Sequence, residues 1–147
     1  MTNTSNDLEL ARQTLRADSL TFAIARAGAI LRIGRREGIS ELLEAIDALG
    51  DSARGVSLAD KVVGKAVAMV ARAARMRAVY SPLASQAARD ALAVEKIEFE
   101  YDRLVPLILN KRSDGPCPME QLTLSIDDPS AVLAALREFV RKRAQPA

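Results

Sequence analysis

The sequence predicts a single α/β domain in which a mixed five-stranded sheet is covered by helices on both faces, a three-layer α/β/α sandwich. Three observations carry this. Segments of strand length alternate with segments of helix length along most of the chain, the pattern of βαβ units. The first two strands are separated only by an Ala-Gly pair, so they form an antiparallel hairpin and make the sheet mixed. The stretch Val56 to Arg75, VSLADKVVGKAVAMVARAAR, reads as a buried strand, a tight turn and a long helix. In that helix Val62, Val63, Ala66, Val67, Met69, Val70 and Ala73 cover a wide apolar arc, as expected of a helix packed on a sheet. The 147 residues, 49% hydrophobic and 27% charged, suffice for one core.

In chain order, a frayed start over Met1 to Asn6 gives way to a helix over Asp7 to Ala17, with Leu8, Ala11 and Leu15 on one face. Leu20 to Arg26 and Ala29 to Ile33 alternate as the two hairpin strands. A helix starts near Ser40 and runs through Leu42, Leu43, Ile46 and Leu49 to Gly50, a C-terminal glycine. The central helix opens near Asp60, an N-cap residue whose carboxylate can accept from free amides. Met76 to Tyr80 is the next strand, and Ser81-Pro82 reads as an N-cap with proline at the first position of a helix reaching about Val94. Ile97 to Tyr101 alternates against Glu98 and Glu100, which suits a sheet edge with one solvated face. Pro106 breaks the apolar run Leu104 to Leu109, and Asn110 to Cys117 carries loop chemistry. Pro118 opens a short helix, and Asp128-Pro129 caps a final one with Val132, Leu133, Leu136 and Val140 facing inward. The expected organisation is an N-terminal helix over residues 1–18, a core over 19–126 and a C-terminal helix over 127–147, all in one domain.

Composition narrows function mainly by exclusion. The chain has no histidine and one cysteine, Cys117, so a zinc site of the usual N/S type and a Ser-His-Asp or Cys-His nucleophile pair are out of reach. No cofactor is predicted; magnesium held by carboxylates stays open, but no clustered acidic motif argues for it. A net charge of +2, without aromatics interleaved among the basic residues, argues against nucleic acid. MTNTSNDLELARQ lacks the regions of a signal peptide, and no apolar run is long enough for a membrane span, so a cytoplasmic location is expected.

In a sheet of this kind ligands bind beyond the carboxyl ends of the strands, where helix N-termini converge. That rim is expected to carry Glu37 to Ser40, Ser57 to Lys61, Tyr80 to Pro82 and Tyr101. Ser57, Asp60, Lys61, Gly64 and Lys65 form the main candidate, a helix start with two lysines that suits an anion. Lys61, Lys65, Arg72 and Arg75 fall on one helical face, for which a solvated flank is the competing account. Gly64 inside the helix costs about 1 kcal/mol against alanine, which points to a close neighbour or ligand. Tyr80 could stack on a base, and Asn110 and Asp114 could hydrogen-bond a ribose or base edge. Cys117 at a helix start is a candidate nucleophile, with a lysine, Glu120 or water as its base.

The segments ADKVVGKA (Ala59 to Ala66), AVYSPLAS (Ala78 to Ser85), LVPLILN (Leu104 to Asn110) and CPMEQ (Cys117 to Gln121) resemble the signatures of a small uncharacterised prokaryotic family assigned to the cytidine-deaminase-like fold. The resemblance covers roughly Ser19 to Leu124. It implies that fold, with a retained nucleoside-like pocket. Deaminases of the fold carry a zinc-binding His or Cys with a Glu at one helix start and Pro-Cys-x-x-Cys at the next. Gly38 to Glu41 and Ala59 to Val62 stand at those positions here, so the resemblance does not extend to zinc deamination. Two functions stay open. One is a binding protein or metal-independent enzyme for a nucleotide-like or other phosphorylated small molecule. The other is a noncatalytic regulatory or interaction module with a vestigial pocket, and an exposed sheet edge suits a homo-oligomer. On the first reading, Lys65→Ala abolishes ligand binding and leaves thermal stability nearly unchanged.

Overall fold

The computed structural model describes residues 4–144. Of the expected frayed start, residues 1–3 lie outside the described residues, while Thr4 to Asn6 already belong to α1 (Thr4–Ala17). The hairpin β1 (Phe22–Arg26) and β2 (Ala29–Gly34) follows, then α2 (Ser40–Leu49) and one 3-10 turn. The middle of the chain forms β3 (Ser57–Asp60), β4 (Val62–Val63) and α3 (Lys65–Ala73). The remainder is β5 (Ala78–Ser85), α4 (Gln86–Val94), β6 (Glu98–Val105), the short α5 (Pro118–Thr123) and α6 (Pro129–Ala144).

The sheet is mixed. β1 runs antiparallel to β2 and β3, while β3, β4 and β6 run parallel to β5. Six strands replace the expected five because the third row is interrupted. Ser57 lies opposite Ala78 and Val62 opposite Leu83, so β3 and β4 follow one register along one edge of β5. In that register the break at Lys61 falls opposite Pro82, which has no N–H to donate to a ladder. The Lys61 N–H turns the other way and donates to the Thr21 carbonyl at 2.9 Å.

Alternation along the inner strands separates two cores. Ala23, Ala25, Ala59 and Ala78 present small side chains to α1, letting Leu8, Ala11 and Leu15 pack close, with Tyr80 filling the end of that layer. Phe22, Ile24, Leu58 and Val79 face the larger cluster, built with buried residues of α2, α3, α4 and α6. In α6, Val132 and Leu136 are fully buried and Leu133 and Val140 pack against the same cluster, and Asp128 Oδ2 accepts from the Ala131 N–H at 3.1 Å.

Two helix starts differ from expectation. α3 begins at Lys65 with Gly64 as its N-cap, because the chain stays extended through Val63 to pair with β5. The expected basic face therefore does not form: Lys61 precedes the helix, Arg72 reaches Glu95 at 3.4 Å and Arg75 lies beyond the last turn at φ +58°. Ser81-Pro82 does not cap a helix either. Strand β5 runs through both residues to Ser85, and the Ser81 hydroxyl bonds Leu83 instead, donating to its carbonyl at 2.7 Å. Ser85 is the true N-cap of α4, its Oγ accepting from the Ala88 N–H at 3.1 Å.

The hairpin turn places Ala27 at φ +53° and Gly28 at φ +78°, and Asp7 on α1 accepts from both N–H groups, at 3.1 and 2.9 Å. A left-handed alanine costs about 1 kcal/mol that glycine or asparagine largely avoids. Ala27→Asn is therefore expected to raise the unfolding temperature by about 2 to 4 °C, read by calorimetry; an unchanged or lowered value removes strain at Ala27 as the reason.

Candidate functional site

A cavity of about 310 Å³ opens where the carboxyl end of β3 and the start of β1 meet the beginnings of α2 and α3. Thr21 and Phe22 contribute from the start of β1 and the residue before it, and Gly38, Ile39 and Leu42 from the approach to α2 and its first turn. Asp60, Lys61 and Val62 form the strand side, Gly64, Ala66 and Val67 the α3 side. The chain after β6 closes it with Ile108, Leu109 and Lys111, then Cys117, Met119 and Glu120 of the α5 region. Most of this lining is apolar, which is the usual character of a small-molecule site, and the volume lies at the small end of such sites.

Glu120 organises the floor. Pro118 at the first position of α5 starts a turn of helix that directs Glu120 back at α3, where it is only 2% exposed. The Lys65 N–H donates to Glu120 Oε1, so a carboxylate 55 residues away caps the first turn of α3. Gly64 makes this approach possible: a β-carbon there would lie 2.7 Å from Glu120 Cδ and closer still to Oε1. The close neighbour expected at Gly64 is thus a side chain of the protein itself. Burial raises the Glu120 pKa, against the pull of the Lys65 and Ala66 N–H groups and the Lys65 ammonium. Its second oxygen, Oε2, is buried and has no hydrogen-bond partner among the described residues.

Asp60 is the second carboxyl of the pocket. It does not cap α3. It closes a local turn by accepting from the Val62 N–H at 3.2 Å, and burial with this single donor pushes its pKa up to about 7. Thr21, which also lines the pocket, has its Oγ1 buried without a partner among the described residues.

Lys65 is turned away from this site. Its ammonium donates to the Leu124 carbonyl and to Asp127 Oδ1, both at 2.9 Å, and it lies outside the pocket lining. The expectation for Lys65→Ala is accordingly reversed. Asp127 is 92% exposed and loses little when unpaired, but the buried lysine stem and the bond to Leu124 are lost. A stability loss of about 1 to 2 kcal/mol is expected, with the pocket's affinity for a ligand retained. Chemical denaturation together with a binding titration checks this, and lost binding at unchanged stability would restore the earlier expectation.

Over residues 10–140 the chain matches the TM1506 family, described as a domain of unknown function (DUF1893). The chain belongs to the DUF1893 family. A crystal structure of a DUF1893 family protein (TM1506) from Thermotoga maritima is similar to it with a TM-score of 0.81 at 23% identity, covering 93% of this chain and 90% of that chain. At that identity the likeness concerns the fold. No curated protein matches the chain.

In this DUF1893 domain the residues singled out by sequence divide into two groups. Asp60, Lys61, Gly64, Cys117 and Glu120 come together around the pocket. Ser57, Lys65, Tyr80, Asn110 and Asp114 do not line it. Ser57 is buried in the sheet, its hydroxyl without a partner. Tyr80 belongs to the α1 side, where its hydroxyl donates to Asp102 at 2.5 Å and accepts from Arg16 at 2.9 Å, with the Arg12 and Arg16 guanidinium groups over its ring. Asn110 and Asp114 satisfy one another, Asn110 Nδ2 donating to Asp114 Oδ1 at 2.8 Å.

The helix starts expected to correspond to deaminase metal positions carry other chemistry in the DUF1893 domain. Glu41 on α2 accepts from the Arg35 and Arg36 N–H groups at 2.7 and 2.9 Å, which holds its carboxyl below the usual range. Ala59 to Val62 do not open a helix, because α3 starts at Lys65. Among the described residues no three His, Cys, Asp or Glu side chains group to hold a metal ion, and no helix is long and apolar enough to cross a membrane. Sequence reasoning missed Thr21, Phe22, Lys111 and Met119 in the pocket. Thr21 precedes β1 and is brought there as β1 pairs with β3, its carbonyl accepting from the Lys61 N–H, a contact for which its own neighbourhood carries no signal.

Proposed function

We propose that this DUF1893 domain binds a small molecule of nucleoside size in the pocket, on a three-layer, cytidine-deaminase-like scaffold that works without zinc. The observation that carries the reading is Glu120, which is nine-tenths buried, caps α3 through one oxygen and leaves the other unpartnered in an apolar pocket. A buried unpaired polar atom costs about 1 to 3 kcal/mol, a cost a bound ligand relieves. The order of strands, with β1 antiparallel beside a parallel β3-β5-β6 set, supports the scaffold reading. The nucleotide-like ligand is kept for its base and sugar only, since the α3 N-terminus intended for a phosphate already holds the Glu120 carboxylate. Cys117 lies on the same wall as Glu120 and would touch such a ligand.

The experiment is a thermal-shift screen of the whole protein against nucleosides, nucleotides and sugar phosphates, with and without divalent cations. A ligand at a hundredfold its Kd adds about 2.7 kcal/mol, a shift of roughly 5 °C or more. The reading expects such a shift with a nucleoside, independent of cations and lost on Thr21→Val. No shift with any compound overturns it. That result favours the interaction-module alternative, for which Leu31 and Ile33, 37% and 38% exposed on the edge strand β2, supply an apolar surface.

A further inference from the structure

Resting on the reading of this pocket as a small-molecule site, we propose that its floor selects a nitrogen-bearing cation or multiple N–H donor, an amidinium or a protonated amino-heterocycle, and rejects anions. The juxtaposition that carries this is two carboxyl groups, Asp60 and Glu120, facing one cavity with no cation among the described residues bound to either. Glu120 Oε2 has no partner, Asp60 has one backbone donor, and Thr21 Oγ1 adds a third unpartnered oxygen. The two carboxyls act purely as acceptors only once they have lost their protons, and the Thr21 hydroxyl can accept as well as donate, so the one group complementary to all three is a donor.

The nearby positive charges are committed or peripheral. The Lys65 ammonium is spent on Asp127 and the Leu124 carbonyl. Lys111 at the mouth stands 3.6 Å from Glu37, a neutral pair exposed to solvent. Lys61 is exposed beside the break in the third sheet row. The positive end of the α3 dipole is already neutralised by Glu120. An anion entering this pocket is opposed by two carboxyls that turn negative as they lose their protons, whereas an amidinium finds charge-assisted acceptors and apolar walls for its organic body.

The titratable groups that face the cavity are Glu37, Asp60, Lys61, Lys111, Cys117 and Glu120. Burial makes both floor carboxyls hold a proton more tightly than usual. A bound cation favours their charged form and therefore expels protons, so affinity rises with pH as Asp60 titrates near 7.

The test uses benzamidinium, benzamide and benzoate, three probes of one shape and different charge, titrated calorimetrically into the whole protein at pH 7 in two buffers of different ionisation enthalpy. Benzamidinium is expected to bind at least tenfold more tightly than benzamide, with proton release, and benzoate not to bind. Glu120→Gln is expected to weaken benzamidinium tenfold or more. If that variant does not fold, Asp60→Asn, which keeps the Val62 bond, is expected to weaken binding and reduce proton release. Benzoate binding as well as benzamidinium, or benzamidinium binding without proton release, overturns the proposal. Should neutral nucleosides shift the unfolding temperature while benzamidinium binds no better than benzamide, the cation subsite fails and the pocket stands; no binding of anything removes both.

Discussion

Gly64→Ala is expected to destabilise the protein by about 2 to 4 kcal/mol, one of the largest effects of any single methyl in this chain. The added β-carbon occupies the space of the Glu120 carboxyl, with Ile108 Cγ1 a further 3.2 Å neighbour. Glu120 has little room to yield, being buried among α3, α5 and the loop after β6. Displacing it breaks a charge-assisted bond worth about 1.5 to 3 kcal/mol and leaves the Lys65 N–H buried and bare. The unfolding temperature should fall by roughly 6 to 12 °C. A double-mutant cycle isolates the cause: in a Glu120→Ala background the same methyl should cost less than about 1 kcal/mol. Equal costs in both backgrounds would mean that the methyl acts through something other than Glu120.

Asp60→Asn is expected to stabilise the protein at alkaline pH and to do nothing at pH 4. The folded-state pKa of Asp60 is about 7 against an ordinary 3.8, so the folded chain holds this proton more tightly than the unfolded one. Between those two values the unfolded chain binds fewer protons, and stability falls as pH rises, levelling off above 7. That rise in pKa corresponds to about 4 kcal/mol. Asp60 keeps partial exposure, and solvent reaching it reduces the expected gain of the variant to roughly 2 kcal/mol at pH 8. Asparagine keeps the acceptor for Val62 and removes the charge. Denaturant titrations of both proteins from pH 4 to 8 give the difference directly; a difference that does not grow with pH shows that Asp60 is not the group responsible. Glu120 contributes in the same direction in both proteins, so it cancels from the comparison.

Local chemistry in the sequence located those elements whose stabilising partners are close in the chain. The hairpin, the start of α2 and the Asp128 cap of α6 depend on neighbours within a few residues, and they stand where expected. The start of α3 was misread for a physical reason. Asp60 has the composition of an N-cap, but pairing of Val62 and Val63 with Leu83 and Ala84 outweighs capping and delays the helix to Lys65. Ser81-Pro82 was misread likewise, since a proline signature that begins helices is equally compatible with an extended strand opposite a gap. For the site, Asp60, Lys61, Gly64, Cys117 and Glu120 were singled out as individual residues, but their convergence was not legible. The cap on α3 comes from 55 residues downstream, and no periodicity encodes that contact. Lys65 was assigned to the wrong side because the helix starts at Lys65 and not near Asp60, so the residues before it are extended and the expected helical face does not exist there.

The Glu120 cap has a further consequence for how this molecule breathes. Because one carboxylate both terminates α3 and forms the pocket floor, the segment between β6 and α6 cannot lift away without releasing the Lys65 amide to water. On the proposed reading of the pocket as a small-molecule site, entry of a bulky guest and fraying of α3 become the same excursion, and the hydrogen-exchange rate of that single amide serves as a clock for the opening of the cavity.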